Sequence, residues 1–145
     1  MQASSAPSDS VALLQSVWGP LERGESHDFQ PFFDLLAEDA VFKNGAGEVH
    51  GKEAIVRFFA GTGDELDFNP FVTPIEYYGA GDRVLQLGYE TLTVKETGVT
   101  HEGEWVFVYD LRDGLITRLV NIQDLSGVAH HAKEALAKAQ AGPAT

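Results

Sequence analysis

The 145-residue sequence contains no cysteine, and its ten lysine and arginine residues face twenty-two acidic ones. The absence of cysteine excludes disulfides, thiolate nucleophiles and thiolate metal ligands. The formal net charge of −12 argues against a nucleic-acid partner, because binding phosphate needs clustered basic side chains and those present here are scattered.

Long apolar runs and an export signal are also missing. No run approaches the roughly 18–20 apolar residues that span a bilayer, and the first ten residues lack the basic start and apolar centre of a signal peptide. We therefore expect a cytoplasmic protein with no membrane partner. The chain length and the hydrophobic fraction of 43% fit one domain with one core.

The first half of the chain has helical periodicity. Apolar residues three and four apart predict a helix from about residue 10 to 23, a second from residue 28, and a third over 52–60. A short strand is expected at 39–44, followed by a loop.

From residue 71 the period changes to two residues, which predicts strands over 71–78, 83–95, 99–111 and 115–125. A final amphipathic helix is expected over 126–141. Helices followed by a long meander of strands predict an α+β fold, in which a cone-shaped, curved antiparallel sheet is closed by the N-terminal helices. We expect a single domain over 10–141 with tails at 1–9 and 142–145, and a pocket inside the cone.

Polar residues on otherwise apolar strands are the first candidates for a site. A carboxamide such as Asn121 must find hydrogen-bond partners or line a cavity, and Gln123 shares its face. We interpret Asn121 as a cavity residue, the alternative being an amide bonded to a neighbouring backbone group. Asn44 is a candidate substrate-binding residue, although an asparagine before Gly45 is also ordinary turn chemistry.

Four motifs carry a resemblance to a known family: AEDAVFKN at 37–44, HGKEAI at 50–55, DGLI at 113–116 and QDL at 123–125. With the order of elements, they resemble the nuclear-transport-factor-2-like superfamily, and within it the SnoaL-like polyketide cyclases and the limonene-epoxide-hydrolase type. The resemblance implies the cone-shaped fold, a small hydrophobic ligand and a homodimer formed through the outer faces of the sheets. It says little about the reaction, because this scaffold hosts several enzyme classes and non-catalytic binders.

Carried over residue by residue, the resemblance places the Arg-x-Asp pair of the epoxide-hydrolase type on Gly88 and Glu90, and its second catalytic Asp on Asn121. A Tyr and an Asn that hold the attacking water in that type fall on Phe42 and Asn44. The sequence therefore lacks the arginine and one carboxylate of that mechanism. The acidic and tyrosine residues of the ketosteroid-isomerase type are not retained either.

Glu90 is the leading catalytic candidate. The spacing implied by the resemblance points its side chain into the cone among Leu92, Trp105 and Phe107, where loss of water would raise its pKa toward neutrality and suit it to acid–base work. The alternative is a register shifted by one residue, which would place Tyr89 inside and Glu90 on the wet outer face.

His101 is a candidate proton shuttle near the mouth of the cone, because it lies four residues before Trp105 on the same strand face. An exposed histidine at the end of a strand is the alternative. The other predicted substrate-binding residues are aromatic and would form a wall suited to a flat or terpenoid ligand; they are Trp18, Phe42, Phe59, Tyr89, Trp105 and Phe107. No set of His, Asp and Glu has metal-ligand spacing, and we expect neither metal nor cofactor.

These observations predict a cofactor-free enzyme that performs acid–base chemistry on a small hydrophobic, aromatic or polyketide-derived molecule. The class would be isomerase, cyclase, lyase, dehydratase or hydrolase. Glu90 would move the proton, while Asn121 and Asn44, with His101 or Tyr89, would orient the substrate oxygen or a water. The alternative is a non-catalytic module for ligand binding or assembly on the same scaffold, since each familiar catalytic set is incomplete.

Overall fold

A strongly curled sheet and four helices form the described part of the chain, and the fold is α+β. The computed structural model describes residues 9–62, 64, 66–123 and 129–142, with side chains in the last range from Lys133 onward. Within these residues, no helix is long and apolar enough to cross a membrane. The elements are α1 (Asp9–Glu22), α2 (Gln30–Phe33), β1 (Leu36–Asn44), β2 (Gly47–His50), α3 (Lys52–Thr62), β3 (Leu66–Asn69), β4 (Glu76–Ala80), β5 (Arg83–Val94), β6 (Thr100–Arg112), β7 (Leu115–Gln123) and α4 (Ala129–Ala141).

Strands β5, β6 and β7 are adjacent and form an antiparallel meander in the middle of the sheet. The order of strands is β2-β1-β7-β6-β5-β3, and β4 also pairs with β5. β1 pairs with β7 in parallel and brings Phe42 beside Leu119. The sheet is therefore antiparallel at every pairing but this one, which the sequence-based prediction did not include.

Several element boundaries differ from the predictions for reasons that lie elsewhere in the chain. The second helix is only one turn long, because Leu36 already pairs with Ile116 of β7 and the Ile116 N–H donates to the Leu35 carbonyl at 2.7 Å. The predicted loop after β1 contains β2, which pairs with β1. β3 was not predicted, and the strand expected over 71–78 begins only at Glu76. The predicted start of the last helix lies outside the described residues.

Strict alternation of burial along β5 decides which side of the sheet faces the core. Val84, Gln86, Gly88, Glu90 and every second residue after them are buried, whereas their neighbours are half-buried or exposed. Val84 of this inner face belongs to the main hydrophobic core, which includes the apolar stripe of α1 and residues of α3, whereas Leu92 and Val94 form a second cluster with Leu66. The register that places Glu90 inside, and not Tyr89, is the one observed.

A buried polar network lies between the sheet and α1. The Tyr109 hydroxyl donates to Gln86 Oε1 at 2.5 Å, and Gln86 Nε2 donates to the Tyr77 hydroxyl at 3.3 Å. Burial raises the pKa of Tyr77 to about 12 and that of Tyr109 well above its usual value, so both remain neutral. Glu22 of α1 accepts a 2.8 Å hydrogen bond from the backbone N–H of Ile75, which ties the helix to the segment before β4.

Candidate active site

A cavity of about 180 Å³ opens between the inner face of the sheet and the helices. All of the aromatic residues predicted to bind substrate, apart from Tyr89, are in its lining; they are Trp18, Phe42, Phe59, Trp105 and Phe107. Phe107 is at the centre of this wall, with its ring centroid 5.4 Å from that of Trp105 and 6.4 Å from those of both Trp18 and Phe59. The wall is therefore a set of contacting rings and not isolated side chains.

The predictions missed five further phenylalanines of the lining: Phe29, Phe32, Phe33, Phe58 and Phe68. Phe32 and Phe58 are buried in the core while also facing the cavity. Phe29 and Phe68 are each 41% exposed and lie at its open side. The cluster of aromatic residues at 29–33 was a usable signal, whereas Phe68 lies on β3, a strand that the sequence pattern did not reveal.

The indole of Trp105 lies directly over residue 88. A Cβ atom at Gly88 would come within 2.4 Å of two ring carbons of Trp105, which is closer than non-bonded atoms can approach. The indole N–H donates to the Pro70 carbonyl at 2.9 Å, and the side chain is buried. The aromatic ring thus occupies the space that a side chain at position 88 would need.

Glu90 is a buried carboxyl with one hydrogen-bond partner in the described part of the chain. Its residue is 8% exposed, and Gln123 Nε2 donates to its Oε2 atom at 2.6 Å. Burial raises its pKa from the ordinary 4.5 to about 7. Near neutral pH the carboxyl is therefore divided between its acid and base forms, which is the condition for general acid–base catalysis.

Both asparagines line the cavity and also make a backbone hydrogen bond. Asn121 Nδ2 donates to the Val106 carbonyl at 3.3 Å, and Asn44 Oδ1 accepts from the Ala46 N–H at 2.8 Å. Within the described residues, Asn121 Oδ1 and Asn44 Nδ2 make no further hydrogen bond, so each side chain keeps one polar atom for a ligand or water. Gln123 lines the same wall.

Two predicted residues lie outside the cavity lining. Tyr89 is opposite Glu104 on the other side of β5, which corrects the prediction that it contacts the ligand. His101 is half-buried and opposite Leu92, toward the far end of β6, and it does not reach the lining. The structure brings together Glu90, Asn121 and Gln123 and leaves His101 apart from them.

Comparison with known proteins gives a family and a set of structural relatives. The family model of the SnoaL-like domain matches residues 21–119, which extend from the end of α1 into β7. No curated protein matched the sequence.

The structural relatives share the fold at low sequence identity. A candidate polyketide cyclase from Xanthomonas campestris pv. campestris is 22% identical, with a TM-score of 0.69 over 85% of this chain and 96% of the other. An NTF2-like protein from Burkholderia xenovorans LB400 is 23% identical, with a TM-score of 0.68 over 94% and 99%. TerC, co-crystallised with polyporic acid, is 21% identical, with a TM-score of 0.66 over 90% and 100%.

Substitution of Gly88 by Ala is expected to displace the Trp105 ring. Overpacking of this kind costs about 1–3 kcal/mol of unfolding free energy, and the tryptophan emission should change because the indole moves. Chemical denaturation followed by fluorescence measures both effects. Gly103→Ala is the matched control on the facing strand, since no described atom lies within 4 Å of the position of its Cβ. Equal stability of the two variants would contradict the close packing.

Replacement of Glu90 by Gln is expected to raise the free energy of unfolding above that of the wild type by more at pH 8 than at pH 4. The folded carboxyl holds its proton up to about pH 7, whereas the unfolded one loses it near 4.5. Wild-type stability therefore falls over this interval, by up to about 3 kcal/mol, and the variant lacks this contribution. Denaturant titrations at several pH values test this, and parallel profiles for the two proteins would refute the buried ionisation.

Proposed function

Because the chain belongs to the SnoaL-like domain family, we propose that it is a cofactor-free enzyme that performs acid–base chemistry on a small hydrophobic molecule. The observation that carries the proposal is a buried carboxyl, Glu90, with a pKa near 7 on the wall of an aromatic cavity. A group of this kind takes and returns protons at neutral pH without help from a bound cofactor. The reaction class would be isomerisation, cyclisation, elimination, or addition of water.

Glu90 acts first as the base in this proposal. Its ionised form takes a proton from a bound substrate or from a water, and its protonated form then delivers a proton to the product. The cavity wall contributes by excluding water, which strengthens each remaining electrostatic contact. Asn121 Oδ1 is placed to orient a substrate hydroxyl or a water, while His101 is not required, since it lies outside the lining.

The aromatic lining supports a flat, largely apolar substrate. Phe107 and its neighbouring rings offer faces and edges for stacking. Apart from the two indole N–H groups, the polar side-chain atoms of the described lining belong to β1, β5 and β7 and to Thr62. A fold relative that was co-crystallised with polyporic acid is consistent with a small organic ligand. An aromatic or polyketide-derived molecule fits this description.

A non-catalytic binding module is the second candidate. The observation that favours it is that Glu90 is the one titratable side chain among the described lining residues, so those residues offer no second acid or base to complete a catalytic pair. A protein of this kind would bind the same ligands through the aromatic wall and would not convert them.

Loss of the Glu90 carboxyl should abolish turnover while ligand binding persists. The two tryptophans of the chain both line the cavity, so quenching of their emission can identify ligands from a panel of aromatic and polyketide-like compounds. Glu90→Gln is expected to lower kcat by about 100-fold or more on a converted compound. Glu104→Gln, an exposed carboxylate on β6, is the control and should keep full activity. Unchanged kcat in Glu90→Gln would exclude the catalytic role, and binding without conversion would favour the binding module.

We also propose that the protein forms a homodimer through the outer face of the meander. Aliphatic side chains of adjacent strands line up across this face, because Leu87 pairs with Val106 and Val106 with Ile122. Ile122 is 57% exposed, which is unusual for an isoleucine in the middle of a sheet. A second copy of the chain would cover this surface.

Introduction of a charge at Ile122 is expected to convert the dimer into a monomer. Ile122→Lys would bury an ammonium in an apolar interface, which is unfavourable. Sedimentation equilibrium of the wild type and the variant measures the change in mass. Leu115→Lys is the control, since Leu115 is also exposed but lies at the end of the hairpin. A monomeric wild type would refute this proposal without affecting the site.

A further inference from the structure

We propose that Gln123 is a positioning residue for Glu90: its amide holds carboxyl atom Oε2, so that the proton exchanged with a substrate is carried by Oε1. The inference rests on the proposed function for its catalytic meaning, but the position of the proton is a property of the protein alone. The sequence predicted Gln123 as a substrate-binding residue on the same face as Asn121 and did not predict its contact with Glu90.

The contact between Gln123 and Glu90 crosses β6, and the residues of β6 at this point leave room for it. Glu90 is on β5 and Gln123 on β7, so the two side chains meet across the strand between them. Trp105 is the residue of β6 opposite Gln123, and its ring leans over Gly88. Gly103 is opposite Glu90 and presents no side chain to the inner face. Gly88 accommodates the Trp105 ring, and no described atom lies within 4 Å of where a Cβ of Gly103 would be, so the space over Gly103 is open.

The chemistry of the two groups decides which oxygen carries the proton. The amide nitrogen of Gln123 donates to Oε2 and has no lone pair with which to accept. Oε2 can accept this bond when the carboxyl is ionised, and it can also accept it as the carbonyl oxygen of the neutral group. A proton on Oε2 would break the bond and leave the half-buried amide donor of Gln123 unpaired, which is unfavourable. The proton is therefore carried by Oε1, for which the described residues offer no partner.

Other described groups around Glu90 do not compete for this role. On β6, the Trp105 N–H is engaged by Pro70, and His101 lies opposite Leu92 outside the lining. From β3 and α4, the lining residues are apolar, namely Leu66, Phe68 and Ala135. Of the described residues that line the cavity, none besides Glu90 is charged. Among the residues that the structure describes, Gln123 alone bonds to the carboxyl.

Replacement of Gln123 by Met tests the inference, since Met keeps the length of the side chain and removes the amide. We expect the Glu90 titration, followed by carbon-13 NMR of the labelled carboxyl, to shift upward by about one pH unit, because a donor to the charged form is lost. On a converted substrate, kcat should fall and its pH profile should shift with the NMR midpoint, while KM changes little. Gln86→Leu is the control: it removes the buried glutamine on the inner face of β5, which bonds to Tyr77 and Tyr109 and not to Glu90, and it should leave the Glu90 midpoint in place.

The outcomes separate this inference from the proposed function. An unchanged Glu90 midpoint in Gln123→Met overturns the inference even if Glu90→Gln is inactive. A shifted midpoint in a protein that converts no substrate supports the positioning contact and counts against the enzyme. If the Met variant does not fold, Gln123→Glu replaces it; two adjacent carboxyls should then titrate in two steps, and a single unshifted midpoint would overturn the inference.

Discussion

The Trp105 indole can lie against the sheet only because residue 88 is glycine. A Cβ at that position would lie 2.4 Å from the ring. The close fit of Gly88 and Trp105 therefore favours the observed register of β5 and β6. The ring in turn holds the Pro70 carbonyl and forms the wall beside Glu90. A register shifted by one residue would lose this fit and turn the carboxyl to the outer face. The shape of the cavity and the burial of Glu90 therefore depend on the contact between Trp105 and Gly88.

Burial of Glu90 links stability to chemistry. The aromatic side chains that exclude water from the cavity also remove water from the carboxyl, which raises its pKa to about 7. Above that pH the ionised group destabilises the fold, and a single hydrogen bond from Gln123 offsets part of this cost. The same burial that lowers stability above pH 7 sets the titration on which the proposed acid–base role of Glu90 depends.

The fold was predictable where the signal is local. Alternation along β5 to β7, helical spacing in α1 and α3, and the motifs resembling the SnoaL-like proteins predicted an α+β cone. The family match and the fold relatives confirm this. The errors concern pairing between distant segments: α2 shrinks because Leu36 joins β7, and the parallel contact of β1 has no local signature. From the sequence, Gly88 was only the position at which the arginine of the epoxide-hydrolase type is missing. The structure shows that the Trp105 ring occupies the space of a side chain at this position.

By itself the sequence determined that the chain carries an aromatic core, a family scaffold, and a short list of polar residues on inward strands, of which Glu90 was the first. Only the tertiary structure decided which of them act together. A period of two residues fits Glu90 inside or Tyr89 inside equally well, and cross-strand packing selects between them. The bond between Gln123 and Glu90 joins residues 33 apart in the chain, and His101, opposite Leu92, is outside the cavity lining. Side-chain contacts of this kind depend on neighbours that no local pattern specifies.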